Sequence, residues 1–378
     1  MYHVKTMNKI SKIGLAELDE RFEISDTMEH EDAILVRSAK LHDYDFPAEL
    51  KCIARAGAVV NNIPLDRAAD AGIVVFNAPG ANANGVKELT IAALLLASRK
   101  ISQGITWVKE QSAAGADVAA VVEKGKSAYV GPEIMGKTLG VVGLGAIGVL
   151  VANAAAALGM KIVGYDPFLS VTHALNLTPG VEVVDTLPEL YAKADYISLH
   201  LPMNDATRGT LNEAAFAAMK DGVRIVNLAR GELVDTSALK AALDSGKCAA
   251  YVTDFPNSET AAIEGVVAIP HLGASTPESE DNCAMMAARE VKEYLDNGSI
   301  INSVNLPNLT MAWAAKTRVC VISKGADAAA IAGAVPAVAS ASNTRGEYAY
   351  TILDTDAAVD EAAIAAIPGV LRVRVLTR

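Results

Sequence analysis

Three glycines, Gly143, Gly145 and Gly148, follow the spacing GxGxxG and constrain the fold of this chain more than any other feature. An apolar run typical of a β-strand, LGVV, precedes them, and a helix-forming run, VLVANAAAALG, follows. In such a unit the first glycine permits the tight turn, the second lets a pyrophosphate approach the backbone, and the third allows close helix–strand packing. The motif predicts a dinucleotide-binding site; the alternative is a glycine turn that serves packing alone.

An acidic residue, Asp166, ends the next predicted strand, KIVGYD. It lies close to the position, about 20 residues further on, where a ribose-binding acid follows this motif. Its carboxylate can accept hydrogen bonds from ribose hydroxyls but would repel a 2′-phosphate, and no arginine or lysine stands in the following PFLS. NAD is therefore favoured over NADP. Ala146 and Ile147, at the predicted helix start, are expected to help hold its phosphates.

Strands alternate with helices along most of the chain, which favours an α/β fold with a doubly wound parallel sheet. Residues 138–277 show this most regularly, with predicted strands LGVVGL, KIVGYD, YISLHL, RIVNLA, AAYVTDF and VVAIPH. Residues 1–88 alternate in the same way, with one predicted helix at residues 13–21. A long helix is predicted over residues 86–111. After residue 307 a β-α-β pattern predicts a small α+β module.

Composition excludes several classes of protein. Lys and Arg total 33 against 44 Asp and Glu, so a net charge of −11 argues against non-specific nucleic-acid binding. The four cysteines are widely spaced, which predicts neither disulfides nor a metal site and fits the cytoplasm. The N-terminus lacks the apolar core of a secretory signal. Residues 138–160 carry no charge, but their clustered glycines favour a strand, a turn and a buried helix over a membrane span.

Three polar residues follow predicted strands of the second block: Arg230 after RIVNLA, Glu259 after YVTDF and His271 after VVAIP. The carboxyl ends of parallel strands meet at one sheet edge, so these residues are expected to converge beside the cofactor. Oxidation of a 2-hydroxy acid needs a cation for the carboxylate, a base for the hydroxyl proton and an acid that orients that base. The three residues match these needs. The alternative is a surface arginine and a structural histidine.

The segments GLGAIG, YDP, NLARGELVD, VTDFPNSE and PHLGAST resemble the signatures of the D-isomer-specific 2-hydroxyacid dehydrogenases. Within that family, residues 53–101 resemble the 3-phosphoglycerate dehydrogenases, and the resemblance extends over about residues 34–307. It implies NAD-dependent oxidation of 3-phospho-D-glycerate to 3-phosphooxypyruvate, the first step of the phosphorylated route to serine. It also implies that Arg230 clamps the substrate, that His271 is the acid–base with Glu259 as its partner, and that Asp254 lies near the nicotinamide.

The resemblance implies a domain order as well. A Rossmann domain, residues 89–277, is inserted into a flavodoxin-like substrate domain made of residues 1–88 and 278–306. Residues 307–378 then form an ACT-like module. Further cofactor contacts are expected at His200, Pro202, Ala229 and Gly273, and the substrate loop is expected to contain Arg55, Ala56 and Gly57.

A phosphorylated hydroxy acid needs a cationic pocket for its extra negative charge. Arg37 and Arg55 are candidates, and Lys124 and Lys126 are either further cations for the phosphate or solvated loop charges. The chain lacks the tryptophan and arginine that the family usually carries before its GKT segment. A glyoxylate, hydroxypyruvate or 2-oxoglutarate reductase of the same family is therefore the main alternative.

The closing IPGVLRVRVLTR resembles an ACT-type regulatory module. The His-x-Asn-x-x-Gly turn of such modules is replaced by ISKGADAAAI, so a role in assembly is favoured over serine binding. The resemblance implies a homodimer or homotetramer joined through the nucleotide domain, acting on a small-molecule substrate. A remote alternative is an NAD-sensing, corepressor-like interaction protein, against which the ACT-like tail argues.

Overall fold

The computed structural model describes residues 1–378, which divide into two compact units. The first unit consists of residues 1–82 and 277–378, and the second of residues 83–276. This division differs from the predicted one in two respects. The first boundary precedes residue 83 rather than following residue 88, and residues 307–378 share a unit with the preceding segment instead of standing apart.

A five-stranded parallel sheet in the order β2-β1-β3-β4-β5 forms the centre of the first unit. Its strands are β1 Tyr2–Met7, β2 Phe22–Ser25, β3 Ala33–Val36, β4 Cys52–Arg55 and β5 Val74–Asn77. All four residues of β3, AILV, are buried, as expected of a parallel sheet covered on both faces. Helices α1 (Lys12–Leu15) and α2 (Leu65–Asp70) follow β1 and β4. The helix predicted over residues 13–21 is thus a single turn.

The second unit contains a seven-stranded parallel sheet in the order β12-β11-β10-β9-β6-β7-β8. Its strands are β6 Thr138–Val142, β7 Lys161–Tyr165, β8 Glu182–Val183, β9 Tyr196–Leu199, β10 Val223–Asn227, β11 Cys248–Thr253 and β12 Val266–Ala268. The chain starts at β6, builds outwards to β8, and then continues from β9 on the other side of β6. This reversal is the topological switch point of a doubly wound sheet, and the predicted Rossmann fold is confirmed.

The helices of the second unit are α3 Ala83–Ser98, α4 Ile101–Ala113, α5 Val118–Gly125, α6 Ala146–Ala157, α7 Val171–Leu175, α8 Leu187–Lys193, α9 Glu213–Ala218 and α10 Thr236–Asp244. The single helix predicted over residues 86–111 is therefore wrong, because α3 and α4 are separated at Arg99 and Lys100. Half of α3 is buried in the core, whereas α4 has no buried residue, so the chain leaves the core after Ser98.

The uncharged segment at residues 138–160 forms β6, the glycine turn and α6, as predicted. Both elements belong to the core of the second unit, with Val141, Val151 and Ala152 fully buried. No helix in residues 1–378 combines the length and the apolar character needed to cross a membrane.

Helix α11 (Pro277–Asn297) returns the chain to the first unit and packs against its sheet. Its buried residues recur at helical spacing: Ala284, Ala287, Ala288, Val291, Tyr294 and Leu295. Gly14 of α1 makes the closest approach, since a Cβ atom there would lie 2.4 Å from the Cβ of Ala284. Any larger residue at position 14 would push α1 away from α11.

The remaining chain forms an antiparallel sheet in the order β14-β15-β13-β16. Its elements are β13 Thr317–Lys324, α12 Ala328–Gly333, β14 Ala339–Arg345, β15 Tyr348–Thr355, α13 Glu361–Ala365 and β16 Val370–Thr377. This β-α-β-β-α-β order agrees with the predicted ACT-like module. The sequence pattern does not predict β14, because its residues, ASASNTR, are small or polar and lie on the exposed edge.

Both faces of the C-terminal sheet are covered. Val319 and Val321 of β13 pack with Ile331 and Ile364, which belong to α12 and α13. The alternating residues Cys320 and Ile322, with Tyr350 and Ile352 of β15, join the core around Tyr294 of α11. A shared core explains why residues 307–378 are not a separate unit.

Candidate active site

The polar side chains of the second unit gather beyond the carboxyl ends of four neighbouring strands. His200 follows β9, Arg230 follows β10, Asp254 follows β11 and His271 follows β12. Since β9 to β12 are adjacent in the sheet, residues distant in sequence reach the same edge. This edge is where open α/β sheets bind their ligands.

An aromatic ring brings the arginine and the histidine of this edge together. The ring centroid of Phe255 lies 4.3 Å from that of His271, and the guanidinium carbon of Arg230 lies 5.1 Å from the Phe255 centroid. Phe255 was not among the predicted site residues, because its side chain carries no polar group. Its position directly after Asp254 at a strand end is the signal that could have revealed it.

Asn227, at the end of β10, fixes the backbone that carries Arg230. Its Nδ2 donates to the carbonyl of Arg230 at 2.8 Å, and its Oδ1 accepts from the N–H of Ala229 at 3.1 Å. The Arg230 side chain donates only to the carbonyl of Ala229, at 2.6 Å, and forms no ion pair. Most of its five N–H donors are thus free for an anionic ligand.

Asp254 is the buried acid of this edge. It is 1% exposed, its Oδ2 accepts from the N–H of Gly273 at 2.9 Å, and its Oδ1 has no partner. Burial raises the pKa of Asp254, while the hydrogen bond from Gly273 and the charge of His271 lower it. Asp254 therefore anchors the segment that follows His271 and offers an unpaired oxygen to a ligand.

Glu259 does not lie against His271. Oδ1 of Asn257 accepts from the N–H groups of Glu259 and Thr260, at 3.0 and 2.8 Å, and this turn leaves the Glu259 side chain exposed. No hydrogen bond or ion pair joins its carboxylate to the imidazole of His271, so the expected pairing is not formed. The charge of His271 instead lowers the pKa of Asp254.

The glycine turn leaves room and free donors for a pyrophosphate. A Cβ atom at Gly145 would meet nothing within 4 Å, whereas one at Gly148 would lie 1.9 Å from the carbonyl oxygen of Gly143. Gly143 has a φ of 95°, which favours glycine. The N–H groups of Ala146 and Ile147 have no acceptor, and no side chain caps α6. These features fit the phosphates of a dinucleotide.

Asp166 stands beside this turn at the end of β7. Its Oδ2 accepts from the N–H of Leu144 and its Oδ1 from the N–H of Phe168, both at 2.9 Å. A carboxylate has about four acceptor positions, so both oxygens can still accept from ribose hydroxyls. Asp166 therefore has a structural contact with the turn in addition to its predicted role.

The strand end at β9 contributes neutral groups. The imidazole Nε2 of His200 lies 2.8 Å from the hydroxyl of Ser198, and burial lowers the pKa of His200 to about 4. The carbonyl of Pro202 accepts from the hydroxyl of Thr207 at 2.6 Å. At neutral pH His200 is uncharged, which suits packing against a nucleotide better than proton transfer.

The first unit has a cationic pocket of its own, with a volume of about 560 Å³. Arg55, Lys40 and His42 line it together with Ser38, Asn61 and Asn62. Of these, only Arg55 was predicted as a site residue; His42 and Lys40 were not, because the sequence KLHD is typical of an ordinary polar loop. The carbonyl of Gly57 accepts from the N–H of Ala78 at 3.0 Å, and the N–H of Ala56 donates to Val36 at 2.8 Å.

The other predicted cations lie outside this pocket, and two of them form ion pairs. Arg37 pairs with Glu280 at 2.5 Å and does not line the pocket. Lys126 pairs with Glu123 at 2.6 Å, and Lys124 is exposed on α5.

A Cβ atom at Gly57 would lie 2.2 Å from Nη1 of Arg55, so the glycine at position 57 makes room for the guanidinium of Arg55.

Comparisons with known proteins agree with this geometry. The model of the D-isomer specific 2-hydroxyacid dehydrogenase NAD binding domain matches residues 91–273. D-3-phosphoglycerate dehydrogenase of Methanocaldococcus jannaschii is 35% identical over 81% of this chain and 58% of its own length. The enzyme of that name from Mycobacterium tuberculosis is 40% identical over 73% of this chain and 51% of its own length. The chain thus spans between half and three fifths of these relatives.

Solved structures of the same kinds of enzyme have a similar fold. NAD⁺-bound 3-phosphoglycerate dehydrogenase of Entamoeba histolytica is 26% identical, with a TM-score of 0.60, over 82% of this chain and 99% of its own. A glyoxylate reductase from Paecilomyes thermophila is 28% identical, with a TM-score of 0.65, over 80% and 98% of the two chains.

Proposed function

Because the chain belongs to the D-isomer-specific 2-hydroxyacid dehydrogenase family, we propose that it oxidises 3-phospho-D-glycerate to 3-phosphooxypyruvate with NAD. This is the first step of the phosphorylated route to serine. The observation that carries the proposal is the pairing of Arg230 and His271 on the Phe255 ring at the ligand-binding edge of the sheet. The names of the relatives support the choice of substrate.

The free N–H groups of Arg230 hold the substrate carboxylate and polarise C2. An imidazole nitrogen of His271 accepts the proton of the C2 hydroxyl as the carbonyl forms. NAD, when bound, supplies the acceptor for the hydride that leaves C2. Asp254 holds the segment that follows His271 through the N–H of Gly273 and so positions the imidazole.

Glu259 is proposed as an orienting acid on the strength of the family resemblance. It lies after β11, the strand next to the one that precedes His271. If it acts on His271 when substrate is bound, Glu259→Gln should shift the acidic limb of the pH profile of kcat, whereas an unchanged profile contradicts this role of Glu259.

The groups that would hold NAD are those of the glycine turn and the strand ends. The free N–H groups of Ala146 and Ile147 would bind the phosphates, Asp166 the adenosine ribose, and Asp254 Oδ1 a donor of the nicotinamide end. His200, Pro202, Ala229 and Gly273 complete the proposed contacts. The neutral state of His200 supports this assignment.

We propose that the cationic pocket of the first unit recognises a phosphate group, the group that distinguishes the phosphorylated acid from hydroxypyruvate. Arg55 and Lys40 carry positive charge there, and His42 lines the same pocket. Arg55→Ala and Lys40→Ala should raise the KM for the phosphorylated acid more than the KM for hydroxypyruvate. Arg37→Ala, which removes a cation outside the pocket, is the matched control.

The alternative is a glyoxylate or hydroxypyruvate reductase, favoured by the likeness to the Paecilomyes enzyme and by the engagement of Arg37 with Glu280. Steady-state rates on 3-phosphooxypyruvate, hydroxypyruvate, glyoxylate and 2-oxoglutarate separate the two functions. A higher kcat/KM for the unphosphorylated acids would overturn the proposed substrate.

A homodimer or homotetramer in the cytoplasm is proposed as the working form. Helices α4 and α5 have no buried residues, and two large apolar side chains of α4, Ile101 and Ile105, are exposed. A second copy of the chain would cover such a surface. All four cysteines are free, buried thiols, which supports a reducing compartment. Light scattering of the wild type and of Ile105→Lys tests the contact.

A further inference from the structure

A groove along α11 in the first unit contains a buried acid that has no role in the proposed reaction. The groove has a volume of about 530 Å³, within the range of about 300–1,000 Å³ typical of small-molecule sites. Met285, Met286 and Ile301 give it apolar walls. Glu290, which also lines it, is only 6% exposed.

One carboxylate oxygen of Glu290 lacks a partner. Its Oε1 accepts from Nδ2 of Asn302 at 2.7 Å, whereas Oε2 makes no hydrogen bond. Asn302 has a φ of 59°, a left-handed conformation uncommon outside glycine, and in it the residue reaches Glu290. Buried polar atoms are nearly always hydrogen-bonded, so the free Oε2 indicates a partner that the chain itself does not provide.

The other polar groups around the groove are mostly acceptors. Glu293 uses one oxygen to accept from Asn297 at 2.9 Å and keeps the other free, and the side-chain amide of Asn282 makes no hydrogen bond. The one guanidinium, that of Arg289, pairs with Glu17 of the segment after α1 at 2.8 Å. Excess acidic charge and unpaired oxygens remain.

We propose that this groove binds a small amphipathic ammonium ligand. Its N–H groups donate to Glu290 Oε2 and to the free oxygen of Glu293, and its hydrocarbon part packs on the methionines and Ile301. An ammonium brings three donors and no acceptor, which complements a site rich in acceptors. A ligand carboxylate would face both acids and is disfavoured.

Protonation of Glu290 gives this binding a distinctive signature. Burial raises the pKa of Glu290 to about 8, so the free protein holds a proton there at pH 7. Besides Glu290, the charged groups at the groove are Glu293 and Arg289; Asn302, Ile301 and Ala81, from the other segments, are uncharged. An adjacent ammonium favours the carboxylate, so binding releases a proton to the buffer.

Titration calorimetry of the full chain at pH 7 tests the proposal with n-pentylammonium, n-pentanol and pentanoate, which share one hydrocarbon chain. Binding is expected for the ammonium alone, with a heat that depends on the ionisation enthalpy of the buffer. Equal affinity for pentanol, no binding of the ammonium, or a heat independent of the buffer overturns it. The last two results are those expected if an ordered water fills the position.

Two variants and a control sharpen the test. Glu290→Gln keeps an acceptor for Asn302 but loses the charge, and binding should weaken by roughly tenfold or more, as expected for a lost hydrogen bond to a charged group. Met286→Lys places an ammonium of the chain itself in the groove and should abolish binding. Glu278→Gln, exposed on the first turn of α11 and outside the groove, should bind as the wild type does.

Unchanged binding in Glu290→Gln or Met286→Lys, with folding verified by circular dichroism, contradicts the proposal. The groove shares no residue with the proposed reaction. Dehydrogenase rates measured in parallel therefore report on the proposed function separately.

Discussion

Arginines have opposite surroundings in the C-terminal sheet and at the edge of the Rossmann sheet. Arg318 is fully buried and forms a bidentate pair with Asp354, at 2.7 and 2.9 Å, while its third nitrogen donates to the carbonyl of Asn297. Arg374 donates to the carbonyls of Tyr294 and Leu295, at 2.9 and 2.8 Å. Arg230, by contrast, meets one carbonyl and the face of a ring.

The difference separates two uses of the same side chain. A guanidinium in the core must have its donors paired, because an uncompensated buried charge is costly. Arg318 and Arg374 accordingly donate to carbonyls in the last turn of α11, where most carbonyls lack intrahelical partners; that of Tyr294 also accepts from the N–H of Gly298. A guanidinium that is to hold a ligand must keep its donors free. Unsatisfied donors at a sheet edge thus identify function better than charge alone.

The largest effect should come from the catalytic side of this comparison. His271→Ala should lower kcat by about 10²–10⁴-fold, the usual range for a lost general acid–base, while the Kd for NAD changes little. Stopped-flow rates and fluorescence titration measure the two quantities. His173→Ala, on α7, is the control. Wild-type turnover in the His271 variant would falsify its role.

On the structural side, Arg318→Met should reduce the free energy of unfolding by about 3–5 kcal/mol, since it leaves Asp354 buried without its partner. Urea unfolding measures the loss. Arg230→Met should leave stability within about 0.5 kcal/mol of the wild type while impairing catalysis. The double variant Arg318→Met with Asp354→Leu should recover part of the loss; if it unfolds as easily as the single variant, the unpaired charge is not the cause.

Glu290 is the exception on the structural side, because it is buried but only half paired. Its pKa of about 8 exceeds the ordinary value of 4.5, so the folded state holds a proton that the unfolded state has lost between these values. Its contribution to stability therefore falls as the pH rises from about 4.5 to about 8. Glu290→Gln should remove this pH dependence of stability and increase the free energy of unfolding by about 1–3 kcal/mol at pH 8.

Denaturant titrations of Glu290→Gln and the wild type at pH 5 and pH 8 provide the check. The difference in the free energy of unfolding between the two proteins should be larger at pH 8 than at pH 5. An equal difference at both values would mean that Glu290 is already ionised in the folded protein.

The smallest effect is expected at Asp166, which combines the two uses. Asp166→Ala should weaken the binding of NAD by roughly tenfold, as expected for a lost hydrogen bond to a charged group. It should also reduce the ratio of the affinity for NAD to the affinity for NADP. Because Asp166 also accepts from Leu144, a small loss of stability should accompany it. Fluorescence titration with both cofactors measures the change, and Asp185→Ala serves as the control. Unaltered affinity for both would remove Asp166 from the site.

The sequence predicts those parts of the molecule that local patterns determine. Strands of the Rossmann sheet and the glycine turn follow from apolar runs and from Gly143, Gly145 and Gly148. The edge strand β14 does not, because its residues contribute little to any core and pair only through the backbone. The break between α3 and α4 also escapes, since burial against the sheet, not helix propensity, decides where α3 ends.

The site divides in the same way. Arg230 and His271 can be anticipated because polar residues at strand ends meet at a known edge. The lack of a hydrogen bond or ion pair between Glu259 and His271 could not be anticipated, since it depends on the turn that Asn257 holds. Phe255 carries no polar group, and its role depends on the two side chains that contact its ring, His271 and Arg230. Lys40 and His42 reach the pocket of Arg55 through a loop whose path no periodicity describes.

The C-terminal sheet encloses the end of α11 with Arg318, Arg374 and the hydroxyl of Tyr350, which donates to the carbonyl of Gly298 at 2.6 Å. Because of these hydrogen bonds, residues 1–82 and 277–378 are expected to unfold together in one cooperative transition. A scanning calorimeter should record one endotherm for that whole unit. In evolutionary terms, a C-terminal sheet that shares its core with α11 can no longer be exchanged as an independent domain, and mutations in it will also destabilise α11.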